Sequence, residues 1–251
     1  MRALQRTLDR EVRKGRGSST IPDVSGALAA TASRRTAAAP NVARALQYLD
    51  GHRALCAALE EQRALSDAPE EVDTRLRQLW RCLGGDDAYS RMSEAWGRLG
   101  FQGRDPATDL RGGGGLALCD LLHLATSRPA LCARMVERWS DPTSPQPPRS
   151  LPLALTALHA SSWLYALLED ELLEQCLLAR AGAPAQGAAG GGYADLLPSY
   201  RQLLVELFVG FDAEWTRRAP ESIMQFEKVA DEYVARVRKA LERGCVLLTD
   251  V

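Results

Sequence analysis

The sequence predicts an all-α protein, and three observations carry that prediction. After residue 40, apolar residues recur at steps of three and four almost without a break. No alternating, β-branched run is long enough to be a strand. The composition, 46% hydrophobic and 25% charged over 251 residues, is ordinary for a globular chain. It is long enough to bury a core without metal or disulfide staples.

Residues 1–40 read as a basic, low-complexity tail: Lys+Arg outnumber Asp+Glu by eight to three there. The excess suits either an organellar targeting segment or a plain disordered extension. Val42, Leu46 and Leu49 start the first helical stripe. A second helix is expected after Ser66-Asp67, either of which is a capping type, with Pro69 in its first turn. Its stripe is Val72, Leu76, Leu79 and Leu83, ending at Gly84-Gly85. The spacing of Tyr89, Met92, Trp96 and Leu99 predicts a third helix, begun by Asp86-Asp87 and stopped by Gly100. Leu116, Leu118, Leu121 and Leu122 open a fourth, reaching about Thr126, and another short one follows Pro129. Residues 140–150, with their prolines, form a loop. Helical apolar material then fills 151–180, and an Ala/Gly insertion occupies 181–192. Two long helices close the chain. Leu197, Tyr200, Leu204, Leu207, Phe211 and Trp215 line one; Ile223, Phe226, Ala230, Tyr233, Val237 and Leu241 line the other. One domain is expected over residues 41–245, without an internal repeat.

Charge and cysteine usage exclude several functions. The formal net charge is −1, so no bulk field draws in nucleic acid or anionic lipid. The uncharged stretch 150–168 approaches membrane-spanning length, but Pro152, its hydroxyls and His159 favour a buried central helix. Cys56, Cys82, Cys119, Cys132, Cys176 and Cys245 are scattered with no C-x-x-C pair. With His52, His123 and His159 they supply no zinc spacing and read as reduced core thiols of a cytoplasmic protein. His123 and His159, on apolar helices, read as core residues, and neither has a Cys or Ser nucleophile at readable spacing. No metal or cofactor is expected.

One segment breaks the helical pattern. Residues 96–118, WGRLGFQGRDPATDLRGGGGLAL, place turn formers and charges between Trp96 and Leu116. Four glycines, Gly112 to Gly115, let the backbone turn sharply or lie against a partner. The run is no phosphate loop, since no Lys-Ser/Thr follows and no strand precedes it. Such a segment is either a tight inter-helix corner or a functional surface.

The same segment resembles the signature of the ELMO domain. Trp96, Gly100-Phe101-Gln102-Gly103, Asp105-Pro106, Thr108-Asp109 and Arg111-Gly112 all match, and Leu116, Leu118 and Leu121 fit the helix that follows. Leu110 stands where the family usually has phenylalanine. Weaker likeness continues through Ser150 to Ala154 and through Phe208, Phe211-Asp212, Trp215 and Met224 to Phe226. The resemblance implies an all-helical module of the stand-alone kind, which activates GTP hydrolysis on Arf or Arf-like small GTPases. Long family members instead partner exchange factors. A non-catalytic module, in an exchange-factor complex or a cytoskeletal or ciliary assembly, is therefore the second expectation. Either role would place the chain in the cytoplasm, reaching membrane or cytoskeleton only through a partner.

GTP hydrolysis needs positive charge where the γ-phosphoryl transition state becomes negative. An arginine supplied in trans does this, its planar fork of donors matching phosphate oxygens. The resemblance puts Arg111 at that position. Two readings of Arg111 stay open: a catalytic finger, or a fastener pairing with Asp105 or Asp109. Gln102 either orients water or the partner's switch region, or makes a backbone hydrogen bond. Asp105, Thr108, Asp109 and Gly112 are expected to orient the loop or meet the partner, the aspartates as turn or cap residues rather than acid/base catalysts.

Overall fold

The computed structural model describes residues 47–83, 88–141, 150–181 and 195–248. The expected tail, most of the proline-containing loop, the Ala/Gly insertion and Asp86-Asp87 lie outside them. Two compact units divide the chain, Met1–Asp50 and Gly51–Val251. Of the first, residues 47–50 are described and are helical. The second is all-α, with no strand among the described residues. Its helices are α1 (51–64), α2 (Pro69–Cys82), α3 (Gly114–Ser127), α4 (Pro129–Ser140), α5 (Leu153–Glu169), α6 (Glu174–Ala181), α7 (Leu197–Arg218) and α8 (Phe226–Glu242).

The centre is α5, packed between α3 and α7, with α2 covering α3. Leu153, Ala154, Ala157, Leu158, Ala160, Leu164 and Leu167 are all buried, which explains why 150–168 is so apolar. It is a core helix. Among the described residues no helix is long and apolar enough to cross a membrane. The amphipathic helices sit outside: α2 buries Val72, Leu76, Leu79 and Trp80, and α8 buries Phe226, Val229, Ala230, Tyr233, Val237 and Leu241. Phe211 and Trp215 on α7 join Phe226 in an aromatic cluster, with ring centroids 5.4 and 6.1 Å from it. On the same helix, the buried Glu214 accepts hydrogen bonds from Arg217, Arg218 and Arg236. Burial pushes its carboxyl up, but those guanidinium bonds outweigh burial and hold it at about 2.

Four sequence expectations need correction. Residues 89–99 form no α-helix. The Trp96 indole N–H donates to the carbonyls of Ser90 and Arg91, so those carbonyls face the ring instead of an ascending helix. Only a 3-10 turn, Glu94–Leu99, forms there, capped by Ser93, and Met92 is left 55% exposed. The Ser66-Asp67 pair does not cap α2: both lie in a 3-10 turn, and the N-cap position is Ala68. The run 151–180 is two helices, because Glu171 turns left-handed (φ 58) after a surface carboxylate, Asp170, that pairs with Arg238 at 2.7 Å. All six cysteines are free, but only Cys132 and Cys176 are buried, and Cys82 is exposed.

Gly100 fixes how the polar segment meets the core. Its φ of 90 is left-handed, and a Cβ there would lie 2.7 Å from Leu153 N and 2.7 Å from Pro152 C. The Gly100 carbonyl accepts the Leu155 N–H at 3.2 Å, satisfying one orphan donor of the α5 N-terminus. Gly100→Ala combines left-handed strain with a backbone clash, so it should cost roughly 3 kcal/mol or more, measurable as a large fall in denaturation midpoint.

Asp120 on α3 is 1% exposed. Ser161 on α5 donates to its Oδ2 at 2.7 Å, while Oδ1 has no partner among the described residues. Burial raises its pKa to about 7, against the opposing pull of the Ser161 bond and the Arg201 charge. The native state therefore keeps a proton that the unfolded chain, titrating near 3.8, has released. Stability contributed by this group falls as pH rises from about 4 to about 7 and is flat above. Asp120→Asn, which still accepts from Ser161, should melt progressively higher than wild type across that window. Parallel melting curves that do not diverge would contradict this.

Candidate functional site

The polar segment folds as a corner standing on α5. Trp96, fully buried, anchors it, with the rings of Trp80 at 4.8 Å and Phe101 at 5.4 Å meeting it edge-on. Beyond Gly100 the chain runs to a second 3-10 turn, Pro106–Arg111. Pro106 and Leu110 are buried beneath it, while Gln102, Gly103, Thr108, Arg111 and Gly112 are exposed. Surface exposure of the segment was expected; the two inward anchors are what pin it.

Asp105 caps this turn: its Oδ1 accepts the Ala107 N–H at 3.0 Å. The same oxygen accepts from Arg91 Nε at 2.7 Å. Arg91 Nη1 also lies 3.9 Å from Asp73, whose Oδ1 accepts the Tyr89 hydroxyl at 2.5 Å. A chain of charge and hydroxyl thus ties the turn to α2. Asp109 closes the loop from the other side, its Oδ2 accepting the Gln102 N–H at 2.7 Å. The Thr108 hydroxyl donates to the Asp105 carbonyl at 2.8 Å. Both aspartates are turn and cap residues, as the sequence suggests.

Arg111 stands apart from this network. Among the described residues its guanidinium makes no hydrogen bond or ion pair, and it is exposed. The loop fastener is Arg91. Sequence reasoning missed it because its contact with Asp105 spans 14 positions; the available signal was a cap carboxylate in need of a nearby cation. Gln102 divides its roles: its backbone N–H braces the loop, while its carboxamide has no partner among the described residues.

Between the turn and α5 lies an open groove of about 440 Å³. Gln102, Asp109, Arg111 and Gly112 form one wall; Leu155 and His159 are on the other. His159 is not the core histidine expected. It is half-buried, with Phe226 at 5.0 Å and Trp163 at 5.8 Å. Burial lowers its pKa below 6.5, Glu227 opposing weakly, so it is neutral near pH 7. His123, on α3, is part-exposed and likewise lowered by burial.

The glycine run divides by function. Gly114 is left-handed (φ 62), and a Cβ there would meet the Arg63 carbonyl of α1 at 2.8 Å, so the fold itself requires that glycine. Gly112 has ordinary helical angles, φ −85 and ψ −46, and a Cβ would meet nothing within 4 Å. Nothing among the described residues demands a glycine there.

These assignments separate two arginines experimentally. Arg91→Ala should speed amide hydrogen exchange at Ala107 and Gln102 and lower the melting temperature. Arg111→Ala should change neither. Equal protection loss in the two variants would mean that Arg111 also holds the loop.

Comparison with known proteins places the same segment within a known family. The ELMO/CED-12 family model matches residues 57–230, a span holding the whole corner, the groove and α5. ELMO domain-containing protein B of Dictyostelium discoideum is 24% identical over 201 residues, 79% of this chain and 64% of its own. ELMO domain-containing protein 2 of Mus musculus is 27% identical over 184 residues, 72% and 57% respectively. ELMO domain-containing protein 1 of Bos taurus is 28% identical over 216 residues, 78% and 62%. The chain thus spans about three fifths of the length of these curated relatives. No solved structure matches it. With a family match over most of its length, and with the signature segment built as a braced corner beside a groove, the chain belongs to the ELMO/CED-12 family.

Proposed function

We propose that this protein activates GTP hydrolysis on an Arf or Arf-like small GTPase, with Arg111 entering the partner's nucleotide site. One observation carries the reading. Arg111 is exposed at the rim of the groove and unengaged among the described residues, while the carboxylates beside it in sequence are held by Arg91, Ala107 and Gln102. A structural arginine would be paired with one of them; an arginine meant for a phosphate must be free of them. Gly112 supports the same reading, because the open space beside it lets another molecule's backbone approach Arg111 closely.

The chemistry asked of this chain is small. The GTPase holds nucleotide, magnesium and the attacking water. Arg111 contributes charge to the γ-phosphoryl oxygens as they become more negative, and does so on a preset turn that needs no reorganisation. Asp105 and Asp109 orient that turn, and Thr108 closes it. The protein would act as an activator and needs no substrate site, metal or cofactor of its own.

The test is single-turnover hydrolysis across a panel of GTP-loaded Arf-family GTPases. Wild type should accelerate one or more of them, and Arg111→Ala should abolish most of the roughly 10³–10⁵-fold effect that an arginine in trans supplies. Arg111→Lys should fail nearly as badly, because an ammonium lacks the planar fork. Both variants should melt like wild type and still bind the GTP-loaded partner. Stimulation that survives Arg111→Ala would refute the finger. Nucleotide-independent binding without stimulation would make the protein a non-catalytic module.

A further inference from the structure

The groove has a second wall, and that wall carries an unengaged polar group of a different kind. His159 presents its ring from the second turn of α5 toward the groove that Arg111 rims. Phe226 and Trp163 hold the ring by its faces and edges, so its orientation is fixed without a hydrogen bond. Among the described residues neither ring nitrogen has a partner. Most other hydroxyls and carboxylates on the groove are already engaged: Thr108 with Asp105, Asp109 with Gln102, and Ser162 with the Leu158 carbonyl. Three side-chain heads remain available on the groove: the Arg111 guanidinium, the Gln102 carboxamide and the His159 imidazole.

They differ in chemistry. Arg111 only donates and is charged, which suits phosphate. A neutral imidazole offers one donor and one acceptor, and a carboxamide offers both as well. Peptide units of an exposed main-chain segment present a donor and an acceptor side by side, and so suit both groups. We propose that His159, with Gln102 on the facing wall, is a partner-reading residue that hydrogen-bonds the main chain of the GTPase segment lying beside the bound nucleotide. This sets partner affinity, while Arg111 sets the rate. The proposal rests on the function given above, and its division of labour is what can be measured.

His159→Phe is the informative variant. It keeps the ring against Phe226 and Trp163 and removes both nitrogens. The melting temperature should stay at the wild-type value. The GTPase concentration for half-maximal stimulation should rise roughly three- to tenfold, the weakening expected for one neutral interfacial hydrogen bond. The maximal single-turnover rate should not change. His159→Gln, which restores a donor and an acceptor near the position of Nε2, should recover part of the affinity. Arg111→Ala should show the opposite split, losing rate and keeping affinity.

Dissociation constants are measured in parallel with each GTPase loaded with a non-hydrolysable GTP analogue. A stable His159→Phe protein with unchanged half-saturation and unchanged Kd would overturn the proposal and leave the catalytic reading intact. A marked fall in melting temperature would assign the nitrogens to the fold and also overturn it. Binding without stimulation would overturn the catalytic reading, and the change in Kd would then decide the role of His159. Absence of binding across the whole panel would overturn both.

Discussion

The contact between Gly100 and the first turn of α5 is the constraint against which the rest of the site is registered. Upstream of it, Trp96 is locked into the core, its indole N–H gripping two carbonyls. Downstream, the Asp105-capped turn presents Arg111. Gly100 joins the two with backbone lying on backbone at Pro152 and Leu153, and its carbonyl takes an α5 N–H. A flexible side-chain contact would let the corner slide. A direct backbone seat sets its height along α5, and so sets the groove width.

Charge is distributed unevenly around that seat. At the far end of α7, Glu214 gathers three arginines and stays ionised down to about pH 2, which stabilises the α7–α8 pair under ordinary conditions. Arg180 pairs in the same way with Glu206. On the corner, Arg91 serves Asp105 and Asp73. Where so many guanidiniums are engaged, an exposed one with no partner among the described residues, flanked by carboxylates within a few positions, reflects the preset hydrogen bonding around it. Desolvating it against a phosphate displaces only water, with no existing ion pair to break.

Much of the fold was legible in the sequence, for a simple reason: helices that bury one face write their period into the chain. α2, α4 and α8 follow that rule, while α3 and α7, buried on more than one side, were legible from their recurrent apolar residues. Where the reading failed, a long-range contact overrode a local pattern. Tyr89, Met92, Trp96 and Leu99 carry the helical spacing, yet Tyr89 reaches Asp73 and Trp96 captures the carbonyls a helix would need. The charged run Glu169-Asp170-Glu171 interrupts the apolar period, but no periodicity shows that the chain turns left-handed at Glu171. At the site, the signature segment pointed to the corner and to Arg111, but left open whether that arginine is paired within the loop. The brace at Arg91 and the groove face of His159 depend on residues brought from α2 and α8, and no local spacing announces them.

The far wall of the groove has a property of its own. Leu155, His159 and Ser162 follow one another at four and three residues on α5, so they form a single stripe on a rigid rod. The opposite side of that rod is packed: Leu153, Ala154, Ala157, Ala160 and Leu164 are buried. Substitutions on the stripe can therefore change without disturbing the core, and substitutions on the packed side cannot. On the proposed function, a change of partner preference would need only these three side chains to change, with the backbone of the corner and the arginine opposite left as they are.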